Sequence, residues 1–185
     1  MQKILIVASS LDGYIAQSRQ QVSTAWTSRE DRQFFAKISR QIGVLIMGAP
    51  TYATIGRPLP ERQIIVMCRP GECSELPEVT EREVQLNTVW RSDSRAPADL
   101  LAVLESQGLR QVAICGGARV YQSFLTANLV DELYVTIEPV FLGGGIKLTP
   151  DGMVSALQRF EVVEKIDLST QTTVWHLKPM DNETV

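Results

Sequence analysis

Four short, almost unbroken apolar runs constrain this chain more than anything else in it: residues 2–9, 44–47, 64–68 and 111–115. Runs of this length, rich in Ile and Val, suit strands covered on both faces, as in parallel sheets. Parallel strands need crossovers, and helical patterns lie between the runs. Residues 28–41 place Phe34, Phe35, Ile38 and Ile42 at three- and four-residue spacing. Residues 51–55 form a short helical segment closed by Gly56, Pro58 and Pro60. Residues 97–107 open on a proline and stop before Gly108, and residues 119–126 follow a glycine pair. Residues 133–137, 159–166 and 172–177 read as strands at an antiparallel end. The order predicts an α/β fold with a mostly parallel sheet of about eight strands and helices on both faces. A further short strand is expected at residues 84–86, inside the polar stretch 72–96. Nothing resembles a linker or a repeat, so one domain is expected over residues 1–178, with a polar tail at 179–185.

Composition narrows the function. A chain of 185 residues, 44% apolar and 21% charged, can bury roughly 70% of its unfolded surface. Its formal charge of −3 speaks against a nucleic-acid or membrane-surface role, which calls for a basic face. No apolar run approaches the ~20 residues that span a bilayer. The run Ile4-Leu5-Ile6-Val7-Ala8 lacks the flanks of a secretion signal. The three cysteines, Cys68, Cys73 and Cys115, show no zinc spacing. They are expected to be reduced thiols in a cytoplasmic protein, with no metal.

Two strand–glycine–helix junctions could carry chemistry. The first is Ile114-Cys115-Gly116-Gly117-Ala118-Arg119-Val120-Tyr121. Glycines at a strand end let a phosphate approach the backbone, and the helix start presents free N–H groups. A tight turn needing positive φ would demand glycine there equally well. The spacing is not the G-x-G-x-x-G dinucleotide fingerprint. The second junction is Ile46-Met47-Gly48-Ala49-Pro50-Thr51, where the Thr51 hydroxyl could hold another phosphate. Asp31 stands out among the carboxylates. Ser28-Arg29-Glu30-Asp31 fits a helix-capping box, yet the spacing 31, 35, 38, 42 turns Asp31 onto the apolar face. Desolvation there would raise its proton affinity, as proton donation to a heterocycle requires. Trp26 is either a core anchor or the wall of a ring-binding slot. His176, between Trp175 and Leu177, is expected to face solvent.

These residues resemble the dihydrofolate reductase superfamily. Ala25-Trp26-Thr27-Ser28-Arg29-Glu30-Asp31, Leu45-Ile46-Met47-Gly48, Thr51-Tyr52, Ile55-Gly56-Arg57-Pro58-Leu59-Pro60 with Arg62, the glycine-pair junction, and Leu133-Tyr134-Val135-Thr136 occur in that family's order. The later segments Leu129-Val130-Asp131-Glu132-Leu133 and Pro139-Val140-Phe141-Leu142-Gly143-Gly144-Gly145 look like the reductase domain of the riboflavin-pathway deaminase/reductase. Ser10-Leu11-Asp12-Gly13-Tyr14-Ile15-Ala16 has the same character, and the deaminase zinc motif does not occur.

The resemblance implies a three-layer dihydrofolate reductase-like fold and an NADPH cofactor. Asp31 would be the active-site acid, supported by Thr136. The backbone at Ala8 and Ile15 would hold the nicotinamide carboxamide. Gly48, Thr51, Gly116, Gly117, Ala118, Arg119 and Val120 would hold the pyrophosphate and ribose. Trp26, Phe35 and Ile55 would line the substrate slot. The family commonly has Arg directly after the cofactor-strand glycine, where this chain has Ala49. Arg69 sits where the family contacts the 2′-phosphate. The loop between Ala16 and Trp26 differs from the family's lid in length and chemistry. The leading expected activity is NADPH-dependent reduction of 5-amino-6-(5-phosphoribosylamino)uracil, with Arg57, Arg62 and Lys147 as candidate cations for its phosphate. The alternatives are dihydrofolate reduction, in which Arg62 would pair with the glutamate carboxylate, and an inactive NADPH-binding descendant. The resemblance also implies a homodimer.

Overall fold

The computed structural model describes residues 1–56, 59–69, 90–149 and 155–180. The strand expected at 84–86, Cys73, Arg57 and Pro58 lie outside the described residues. The strands are β1 (Gln2–Ser10), β2 (Tyr14–Ala16), β3 (Val44–Gly48), β4 (Gln63–Met67), β5 (Trp90–Asp93), β6 (Gln111–Ile114), β7 (Glu132–Glu138), β8 (Ile146–Lys147), β9 (Phe160–Asp167) and β10 (Thr173–Pro179). The helices are α1 (Arg29–Ile42), α2 (Ala49–Ile55), α3 (Pro97–Ser106), α4 (Ala118–Thr126) and the short α5 (Ser155–Gln158). Eight strands form one sheet in the order β5-β4-β3-β6-β1-β7-β10-β9. Every pairing from β5 to β7 is parallel, while β10 runs antiparallel to both β7 and β9. β2 and β8 make a separate antiparallel ribbon.

The apolar runs are continuous because both faces of the sheet are covered. Alternate residues of a strand point to opposite faces. Leu5, Val7, Ile46, Ile65, Val112 and Ile114 pack with Leu100 and Leu104 of α3 and Phe124 and Leu125 of α4. Ile4, Ile6, Leu45, Met47, Ile64 and Val66 pack with Tyr52 of α2 and Phe35, Ile38 and Ile42 of α1. Fully burying such side chains stabilises by about 1.5–3 kcal/mol each, so the two layers together hold the central strands rigid. At the start of α1, Ser28 Oγ accepts from the Asp31 N–H at 3.1 Å, which is the expected cap. Gly43 ends the helix at φ 80°.

Some expectations need correction. His176 was expected to face solvent, but it is only 8% exposed. Its alternation with Trp175 runs the other way. Trp175 takes the outer face, with Lys165 5.1 Å from its ring, and His176 stacks on Tyr134 at 4.3 Å between centroids. Its Nε2 lies 3.0 Å from Glu132 Oε2. Cys68 is disulfide-bonded, against the expectation of a reduced thiol. Cys115 is a free thiol, and burial pushes its pKa up to about 12, which makes it a poor nucleophile. Strand β5 lies in a stretch read as polar and mixed. No helix among the described residues is long and apolar enough to cross a membrane.

Candidate active site

β1 lies between β6 and β7 in the sheet. The helix that follows β6, α4, packs on one face, and the helix that follows β1, α1, packs on the other. Where neighbouring strands send their chains to opposite faces, a crevice opens at their carboxyl ends, and open α/β sheets bind ligands there. Pairing of β1 with β6 stops at Leu5 and Ile114, whereas pairing with β7 continues to Ser10 and Glu138. The crevice therefore lies beyond Ile114, with Ala8 and Thr136 side by side on its far wall.

Both glycine junctions reach this crevice, and they touch. The Gly48 N–H donates to the Gly116 carbonyl at 2.8 Å. Gly116 has φ +119°, a conformation that side chains rarely adopt, and a Cβ there would sit 3.3 Å from the Tyr121 hydroxyl. Gly117 has an ordinary φ of −80°, so close approach alone demands glycine: a Cβ would lie 2.9 Å from Thr51 Oγ1. Glycine thus keeps Thr51 and the start of α4 in contact. Gly117→Ala should push the Thr51 hydroxyl aside and, where this junction holds a nicotinamide cofactor, raise its KM about fivefold, ~1 kcal/mol of binding. Steady-state kinetics with the cofactor varied check this, and an unchanged KM would separate Gly117 from cofactor binding.

Asp31 enters from the other side. The residue is buried, at 9% exposure, and burial holds its pKa above the usual carboxylate value. The Thr136 hydroxyl opposes that rise by bonding to the carboxyl, the Glu138 charge adds to it, and Thr27 and Arg32 oppose it more weakly. Thr27 Oγ1 stands close enough to act on the carboxyl without full hydrogen-bond geometry, since the buried oxygen has no hydrogen-bond partner. The neighbouring Trp26 Nε1 is also buried and unpartnered. The Asp31 charge is felt at Tyr121, whose hydroxyl donates to the Ile6 carbonyl at 2.7 Å and lies against Gly116. The acid and the glycine pair therefore belong to one neighbourhood.

The other expected residues are distributed around it. Phe35 and Ile55 pack on the α1–α2 side of the sheet, and Ile15 packs against the opposite core. Ala118 and Val120 lie in the first turn of α4, Val120 buried and Arg119 exposed, and Arg69 is exposed just past β4. Arg62 is buried at 4% exposure; its Nη1 donates to Ser39 Oγ at 2.8 Å and its Nε to the Pro60 carbonyl. Lys147 is exposed at the β2–β8 ribbon, 6.0 Å from the Tyr14 ring centroid.

Sequence reasoning missed several neighbours. Glu138 follows Thr136 by two residues, so strand alternation alone would have put both on one face. Thr27 and Tyr121 were read as part of motifs, without roles. Arg19 and Gln20 line a cavity of about 460 Å³ with Pro50, Ala53 and Thr54, and no local pattern marks a loop residue as facing a helix.

The fold and the buried acid beside paired glycine junctions define a dihydrofolate reductase-like oxidoreductase. The sequence profile described as the RibD C-terminal domain matches residues 3–174, and the chain belongs to that family. A dihydrofolate reductase of Buchnera aphidicola is 30% identical over 140 residues, covering 75% of this chain and 73% of that one. A crystal structure described as a riboflavin biosynthesis protein from Shewanella superposes with TM-score 0.74 at 22% identity, covering 98% of this chain and 100% of that one. The Thermotoga maritima diaminohydroxyphosphoribosylaminopyrimidine deaminase/5-amino-6-(5-phosphoribosylamino)uracil reductase superposes with TM-score 0.77 at 18% identity. This chain is covered to 97% there and spans 56% of that protein. Dihydrofolate reductase from Enterococcus faecalis shares the fold with TM-score 0.70 at 19% identity, covering 97% of each chain.

Proposed function

We propose that this protein is an NADPH-dependent reductase of a small nitrogen heterocycle, and that its substrate is 5-amino-6-(5-phosphoribosylamino)uracil. One observation carries the reading. Burial raises the proton affinity of Asp31, which Thr136 and Thr27 face, and two buried polar atoms of the segment leading into its helix, Trp26 Nε1 and Thr27 Oγ1, have no hydrogen-bond partner. Buried polar groups are normally satisfied, and a ring carrying carbonyl and ring-nitrogen acceptors would satisfy these. Desolvation raises the proton affinity of Asp31, so the carboxyl would orient the uracil or help deliver a proton as hydride adds to the ribosyl carbon. Thr136 orients that carboxyl and limits how far its proton affinity rises.

The cradle fits a dinucleotide. Gly117 packs where any side chain would collide with Thr51, leaving backbone and hydroxyl for phosphate oxygens. Gly48, Thr51 and residues 116–120 would hold the pyrophosphate and ribose, with Ala8 and Ile15 toward the nicotinamide. NADPH, when bound, supplies the hydride. Ala49 leaves no cation next to Gly48, and Arg19, which lines a cavity with Pro50, Ala53 and Thr54, would serve instead. Arg69 would meet the 2′-phosphate. Residues 1–178 act as one domain, in the cytoplasm, as a homodimer.

Dihydrofolate reduction is the second reading, favoured by the Buchnera relative. A panel of substrates monitored by NADPH absorbance separates the two. Turnover of the phosphoribosylamino-uracil without turnover of dihydrofolate is expected. The reverse, blocked by an antifolate, would replace the first reading with the second, and no turnover of either would remove both.

A further inference from the structure

Glu138 is a second buried carboxylate at the acid, and the reading above gives it no part. It is the last residue of β7 and only 2% exposed. Its Oε1 accepts from both the Ser28 N–H and the Ser28 hydroxyl, each at 2.8 Å. Its Oε2 accepts from the Thr172 hydroxyl at 3.2 Å. Ser28 is in turn the cap of α1, bonded to the Asp31 N–H at 3.1 Å. A continuous path of hydrogen bonds thus runs from the strand end, through the helix cap, to the residue that bears the acid.

The arrangement is costlier than a fold needs. The Glu138 charge disfavours the ionised form of Asp31, and an apolar residue at 138 would avoid that. A helix cap does not require it either, since Ser28 already caps α1 through its own hydroxyl. The strand period puts Glu138 and Thr136 on the same face, so one strand presents a donor and a negative group to the same carboxyl.

We propose that Glu138 is a positioning residue for the reduction, acting through Asp31. It locks the first turn of α1 to the strand that carries Thr136, and its charge beside the acid favours the neutral form of Asp31. The inference rests on the acid role proposed above for Asp31. The groups facing Asp31 are Thr136 and Glu138 from β7, Thr27 from the segment before α1, Arg32 from α1 itself and Tyr121 from α4. Thr136, Thr27 and Arg32 favour the anion, burial and Glu138 favour the neutral acid, and Tyr121 feels the Asp31 charge without being a named cause of its shift.

The test compares Glu138→Gln with Glu138→Asp in the full chain. Gln keeps the length and an acceptor for Ser28 but removes the charge; Asp keeps the charge and draws it back by one methylene. Two readouts are taken: the ¹³C-carboxyl titration of Asp31 by NMR, and the pH profile of kcat/KM with the substrate that turns over. Expected midpoints for Asp31 fall in the order wild type, Asp, Gln, with Gln lower than wild type by about half a pH unit or more. The high-pH limb of kcat/KM should move down with them, a loss of about threefold at a fixed pH on that limb. A role in packing alone predicts the opposite ranking, because the shorter Asp leaves a gap that Gln fills. An Asp31 midpoint unmoved in Gln, or moved more by Asp than by Gln, overturns the inference. If Gln at this position unfolds the chain in a thermal melt, the Asp variant decides, and an unmoved midpoint there overturns it too. A midpoint that moves while the kinetic limb stays fixed supports the electrostatic link and overturns the acid role instead.

Discussion

On the acid role proposed for Asp31, Asp31→Asn should lower turnover at least about tenfold, which is about 1.4 kcal/mol of barrier, while binding of the nicotinamide cofactor stays near its wild-type strength. Asn is nearly the same size and can still meet the Thr136 hydroxyl, but it has no proton to give. The loss should appear in kcat and kcat/KM together, because the interaction removed belongs to the transition state. The pH profile gives a second signature. Burial raises the Asp31 pKa, so wild-type activity declines as pH rises through that raised value, and the variant should lack this limb. The stability contribution changes with pH in the same direction. A carboxyl whose folded pKa exceeds its unfolded value stabilises the fold fully below the unfolded pKa, and that contribution is lost as pH rises through the folded pKa. Asp31→Asn should therefore gain thermal stability relative to wild type at neutral and higher pH, with the gain shrinking toward pH 3. A variant of unchanged rate, or one that loses stability relative to wild type as pH rises, would contradict the assignment of a buried acid of raised proton affinity.

The parts of the fold that were legible in the sequence are those whose physics is local. β1, β3, β4 and β6 are covered on both faces, so their apolar runs announce them. The helix face that turns Asp31 inward follows from the spacing of Phe35, Ile38 and Ile42. Among the described residues β5 pairs only with β4, and its sequence Trp90-Arg91-Ser92-Asp93 has no apolar run to reveal it. In β10 the residues on either side of the alternation, Trp175 and His176, are both large and amphipathic, so the pattern does not say which face is inner. The pairing with β7 decides it, by stacking His176 on Tyr134. The site divides in the same way. Asp31, Thr136 and the glycine pairs carry motifs that can be recognised one by one. That Gly48 and Gly116 bond to each other, that Glu138 reaches Ser28 and that Arg19 faces α2 all depend on contacts between distant segments, for which no local pattern exists.

The triple glycine Gly143-Gly144-Gly145 is such a case, and it yields the second large effect. Gly145→Ala should lower stability by about 2–4 kcal/mol and the melting temperature by roughly 5–15 °C. Gly145 has φ +129°, and a Cβ added there would lie 2.2 Å from the Ala16 carbonyl oxygen and 2.7 Å from the Gln17 Cα. Both obstacles are backbone, so no side-chain rotation relieves them. The contact matters because it closes the ribbon between β2 and β8. Asp12 fastens the same junction, accepting from the Gly143 N–H at 2.7 Å, the Leu142 N–H at 3.1 Å and the Ser10 hydroxyl at 2.6 Å. Gln17 Nε2 donates to the Leu142 carbonyl at 3.1 Å, which ties in the loop leading to Trp26. Two segments about 130 residues apart are thus held as one wall beside the crevice, and Ile15 sits within it. Gly143→Ala provides the control. Gly143 has φ +71° but nothing within 4 Å of a Cβ, so it bears only the left-handed backbone cost, about 1–2 kcal/mol. Thermal melts of the two variants should rank Gly145 well above Gly143. Equal losses would mean that backbone conformation alone explains these glycines, and that the contact with Ala16 does not hold the wall.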